Sequence, residues 1–62
     1  MANYRFYFLS TDDHIVAVDS NDCYDDADAA RFAMKSIFKN VGSTAVEIWD
    51  HDRRVSRHSR SA

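Results

Sequence analysis

The stretch Asp25-Asp26-Ala27-Asp28-Ala29-Ala30-Arg31-Phe32-Ala33-Met34-Lys35-Ser36-Ile37-Phe38-Lys39-Asn40-Val41-Gly42 decides the fold, because it alone carries apolar residues at helical spacing. At about 100° per residue, Ala30, Ala33, Met34, Ile37 and Val41 share one face with Phe38 at its margin, while Asp28, Arg31, Lys35 and Lys39 lie opposite. Phe32 falls among those charges, the one large apolar residue out of place, and is expected to contact a partner. Asp25 suits the N-cap, since a carboxylate there accepts from the free amides of the first turn, and Asp26 and Asp28 favour the positive end of the helix dipole. Tyr24 is placed to pack on Ala29 as a hydrophobic staple. Gly42, the only glycine in the chain, stands where a left-handed residue closes the helix, so the helix is expected to run to Val41.

Outward from this helix, both flanks read as paired strands. Residues 3–10 contain Tyr4-Arg5-Phe6-Tyr7-Phe8-Leu9, an aromatic run that favours an extended chain. Thr11 to His14 form a polar break, and Ile15 to Asp19 resume a β-branched run, which makes a hairpin. On the other flank, residues 44–50 alternate, with Val46 and Ile48 on one side and Ala45, Glu47 and Trp49 on the other. Asp50 to Arg53 turn the chain into a short edge strand around Val55. The expected fold is therefore α+β in ββαββ order: two β-hairpins form one antiparallel four-stranded sheet, and a single helix covers one face. Residues 1–57 make one domain, and residues 58–62 a flexible C-terminal tail.

With 62 residues the chain supports one thin core, and domains of this size commonly gain stability from disulfides, metals or a partner subunit. Cys23 is the only cysteine, which excludes an internal disulfide. The lone thiol and an amino terminus without a signal pattern point to the cytoplasm. The longest apolar runs, Phe6 to Leu9 and Ile15 to Val18, are far shorter than the roughly 20 residues a spanning helix needs. Net charge is −2, but residues 1–28 carry seven acids against Arg5, while residues 29–62 carry seven bases against Glu47, Asp50 and Asp52. The two halves can attract each other, within one chain or between copies.

The segments Tyr4-Arg5-Phe6-Tyr7-Phe8, Asp25 through Ala29-Ala30-Arg31, Val46-Glu47-Ile48-Trp49-Asp50 and Arg53-Arg54-Val55 resemble a family of short bacterial proteins, domain of unknown function 6894. The resemblance spans roughly residues 4–55 and implies a sheet of two hairpins under one helix. It brings no activity and no functional residues. Asp13 and Asp22 stand where that family usually carries glycine.

Chemistry-bearing motifs are sparse. A single glycine cannot build a phosphate-cradling loop, which excludes the P-loop and dinucleotide fingerprints. Asp22, Asp25 and Asp26 surround Cys23 in sequence and oppose a reactive thiolate. Asp12-Asp13-His14 and Asp50-His51-Asp52 are turn sequences without the ligand spacing of structural zinc. Neither a metal, a cofactor nor an enzymatic activity is expected.

One helix covers one face of a sheet, so Arg5, Tyr7, Leu9, Glu47 and Trp49 are expected on the other, forming with Phe32 the contacts of a small interaction module that homodimerises or binds an unidentified protein partner. The alternative is a weak single-stranded nucleic-acid binder, in which Arg53, Arg54, Arg57 and Arg60 hold the backbone and sheet aromatics stack on bases.

Overall fold

A computed structural model of the chain, describing residues 1–60, has β1 (Ala2–Leu9), β2 (Ile15–Cys23), α1 (Asp26–Ile37), β3 (Ala45–Asp50) and β4 (Arg53–Ser59). The strands form one antiparallel sheet of order β2-β1-β3-β4, with α1 on one face, so the ββαββ α+β fold is the observed one. The order follows from burial. The two most apolar strands, β1 and β3, take the centre, and the polar Asp- and Arg-rich strands β2 and β4 take the edges, where charge blunts edge-to-edge pairing.

The core lies between sheet and helix. Tyr4, Phe6 and Phe8 of β1 and Val46 and Ile48 of β3 meet Ala29, Ala33 and Ile37 of α1, with Cys23 closing one end. Two alanines at the helix contact leave room for the phenylalanine rings beneath. Asp25 caps α1 as expected: its Oδ1 accepts from the Asp28 amide at 2.8 Å, and Asp28 Oδ2 accepts from the Tyr24 amide at 3.1 Å, a reciprocal cap. The Tyr24 ring is exposed, so the staple onto Ala29 is not made.

The helix ends one turn before the expected Val41. Asn40 Nδ2 donates to the Ser36 carbonyl at 2.9 Å, and the Lys39 and Asn40 amides also donate to it, which satisfies the free carbonyl at the end of the helix and turns the chain away. Phe38 and Val41 consequently leave the core stripe; Val41 is 92% exposed. Gly42 does take a positive φ, +98°, after the helix has already closed.

Phe32 is also corrected. The buried stripe of α1 is centred on Ala29, Ala33 and Ile37, rotated from the expected one, and Phe32 packs half-buried on the core with its ring centroid 4.7 Å from that of Phe6. The small side chains of α1 leave its rotation open, and bringing a large ring onto Phe6 removes more apolar area from water than any rotation that exposes it.

The chain end differs from a tail starting at residue 58. His58 and Ser59 belong to β4, the Arg60 amide donates to the Thr44 carbonyl at 2.7 Å, and the Arg60 guanidinium donates to the Ile37 carbonyl and lies 5.3 Å from the Phe38 ring centroid. A cation at a helix C-terminus complements its dipole, which ties this end to α1. Residues 61–62 of the expected tail lie outside the described residues.

Candidate interaction surface

The register sets the face opposite α1 in rows, since directly paired residues share a face. One row runs Ser20, Arg5, Trp49, Arg54 from β2 to β4; the next runs Val18, Tyr7, Glu47, Arg57. Both edge strands carry an extra residue, Val16 in β2 and Val55 in β4, where the pairing shifts. The bulge at Val55 breaks the alternation of β4, so Val55 packs on the core while Arg54 and Arg57 share the opposite face with Trp49 and Glu47. The bulge at Val16 brings Ile15 alongside Leu9, and Tyr7, Ile15, Trp49 and His51 line a shallow groove there.

Of the residues expected on this surface, Arg5, Tyr7, Glu47 and Trp49 are together. Leu9 lies on the same side but is only 5% exposed, a correction. It pairs with Ala45, and Arg57 crosses β3 and β1 to reach Asp13 in the β1–β2 turn at 2.8 Å, passing over the end of the sheet where that pair sits. Asp13 holds φ +65°, a left-handed conformation that aspartate tolerates better than most residues, and this aims its carboxylate back toward Arg57. Phe32, on the helix side, is not part of the surface.

The sequence reading missed Ile15 and Val18, 58% and 57% exposed on this face. Ile15-Val16-Ala17-Val18 is an unbroken apolar run with no alternation to assign sides, so the only signal was its contrast with the polar remainder of β2. Glu47 ties the surface together: it accepts from Trp49 Nε1 at 3.2 Å and from Arg57 at 3.1 Å, with Arg54 at 3.8 Å.

The four C-terminal arginines do not form one basic surface. Arg54 and Arg57 lie on the uncovered face, Arg60 is bound at the end of α1, and Arg53 lies between Asp26 and Asp50. That last cluster joins Tyr4, Asp26, Arg53 and Asp50. The Tyr4 hydroxyl donates to Asp26 at 2.8 Å, and Arg53 bridges Asp26 and Asp50 at 3.4 and 3.1 Å. The hydrogen bond to Asp26, together with burial, pushes Tyr4 up to about 12. The Tyr4 hydroxyl and then Arg53 hold Asp26 below its ordinary value, and His51 and then Arg53 do the same for Asp50. Burial, aided by Asp28, Asp22 and Asp25, pushes the Cys23 thiol up, away from the thiolate. His14 pairs with Asp12 and His51 with Asp50, each within its own turn, and among the described residues no group of three His, Cys, Asp or Glu converges as metal ligands would. No described helix is long and apolar enough to cross a membrane.

These shifts set a pH profile. The depressed pKa values of Asp26 and Asp50 stabilise the fold fully above the unfolded value of about 4, and that contribution is lost as pH falls through the folded values. The raised pKa of Tyr4 stabilises fully below the unfolded value of 10.0, and that contribution is lost as pH rises through about 12. Thermal melts from pH 2 to 12 are expected to fall at both ends, with Arg53→Gln weakening the acid limb and Tyr4→Phe weakening both, because the hydroxyl that titrates in alkali also holds Asp26 down. Limbs unchanged by both substitutions would show that the cluster does not govern the profile.

Compared with family profiles, curated proteins and solved structures, the chain finds no significant match.

Proposed function

We propose that the protein is a small, non-catalytic interaction module that homodimerises through the sheet face opposite α1. The observation that carries this reading is the grouping of Tyr7, Trp49, Ile15 and Val18 on that face, interleaved with Arg5 and Glu47 on the central strands and bordered by Arg54 and Arg57 on β4. Aromatic anchors together with exposed aliphatics and arginines are the composition of a protein interface. Covering them in a second copy also adds the apolar burial that a chain of 62 residues lacks. The non-catalytic part of the reading is supported by the titratable groups: Asp26, Asp50 and Arg53 are spent on one another, and Cys23 is buried. A buried free thiol also suits the cytoplasmic setting that the reading assumes, and kinship with the short bacterial domains of unknown function remains part of it.

Sedimentation at micromolar concentration is expected to give twice 7.1 kDa for the wild type and 7.1 kDa for Trp49→Glu, with the far-ultraviolet spectrum unchanged. A wild type that sediments at 7.1 kDa and is fully folded overturns the dimer.

A second reading, single-stranded nucleic-acid binding, is favoured by one feature: Trp49 lies between Arg5 and Arg54 in the same row, a stacking ring between two backbone-binding cations. Affinity for a labelled oligonucleotide that falls steeply with salt and is lost in Trp49→Ala would favour it over the dimer.

A further inference from the structure

The rows of the uncovered face also define how a second copy sits on it. Two sheets packed face to face keep their strands roughly aligned, so a two-fold axis between them runs either along the strands or across them. An axis along the strands sets β2 over the partner's β4 and β1 over the partner's β3. An axis across the strands sets each strand over its own copy.

Charge separates the two. Along this face the β4 side carries Arg54 and Arg57, while the β2 side carries Ser20 and Val18 in the same two rows. Superposing β4 on its own copy brings Arg54 and Arg57 against the same two arginines, whereas superposing β2 on β4 brings the uncharged Ser20 and Val18 against them, so that no like charges face. The inner strands agree. Arg5 and Trp49 are direct neighbours in one row and Tyr7 and Glu47 in the next, so exchanging β1 for β3 turns each neighbour pair into a facing pair. Arg5 then lies against the indole of Trp49 of the partner subunit, and the Tyr7 hydroxyl against the carboxylate of Glu47 of the partner subunit, each contact occurring twice.

We infer that two copies of this chain stack their uncovered sheet faces about a two-fold axis parallel to the strands, forming an eight-stranded sandwich with both helices outside. This rests on the homodimer reading above and adds its geometry. Ser20 and Arg54 end one row at opposite edges of the sheet, so the inferred axis brings Ser20 of one copy over Arg54 of the other. Within one chain the two are three strand spacings apart, about 14 Å at 4.8 Å each, beyond the reach of a short bismaleimide.

The test uses the full chain with Ser20→Cys, Arg54→Cys and the double variant, each treated with a short bismaleimide; Cys23, buried, is the wild-type control. The double variant is expected to run as a covalent dimer on a denaturing gel, and a mixture of the two single variants to give the same band, while each single variant alone stays at monomer mass. Ser20→Cys alone linking to itself overturns the inferred axis in favour of the one across the strands. A wild type that sediments as a dimer while no variant cross-links overturns the axis and leaves the dimer standing. A monomeric wild type removes both.

Discussion

Phe6→Ala is expected to cost about 3–5 kcal/mol, the usual range for emptying a phenylalanine site in a packed core. Phe6 is fully buried at the centre of the sheet, paired with Ile48 on β3 and Asp19 on β2, and covered by Phe32 from the helix. No neighbour can close the gap cheaply: β1 is held by strands on both sides, and the alanines of α1 are too short to fill the space. Domains carry roughly 0.05–0.15 kcal/mol of stability per residue, so a chain this small has only several kcal/mol in total. The variant should therefore be largely unfolded at 25 °C, or have a urea midpoint near zero. A midpoint within a few tenths of a molar of wild type would mean that Phe6 is not the centre of the core.

Phe32→Ser is expected to destabilise by about 2–4 kcal/mol, below the full range because the ring is half-buried, but raised by the hydroxyl left against Phe6. Measured together with the milder Phe6→Leu in a double-mutant cycle, the two should be less than additive, since each disrupts the same ring pair, whose centroids lie 4.7 Å apart. Sedimentation separates this effect from partner binding. At concentrations where the variant is still folded it should dimerise like wild type, because Phe32 lies on the helix side and the proposed interface on the other. A stability loss under about 0.5 kcal/mol, typical of a surface site, would return Phe32 to the exposed face of α1.

The element order was legible in the amino-acid sequence because each signal for it is local. Strand alternation in residues 44–50, the aromatic run Tyr4 to Leu9 and the Asp25 cap involve neighbours no more than a few residues apart, and all three appear in the structure. Half of the candidate surface was legible for the same reason: Arg5, Tyr7, Glu47 and Trp49 follow from alternation once β1 and β3 have a buried side.

What depended on distant contacts was not legible. Pairing of β1 with β3 joins segments separated by the whole helix, so the strand order arises from burying the two most apolar strands in the middle. Leu9 obeys the alternation yet is buried, through its Ala45 partner and the Arg57–Asp13 bridge across the sheet. Phe32 was decided by Phe6, and Ile15 and Val18 by bulge and register, neither of which leaves a mark on an unbroken apolar run. The sequence by itself determined which segments are strands and which is helix, because backbone preference and periodicity act within a few residues. The tertiary structure alone decided which apolar side chains face water, because that depends on which of two faces the single helix covers and on where the strands slip out of register.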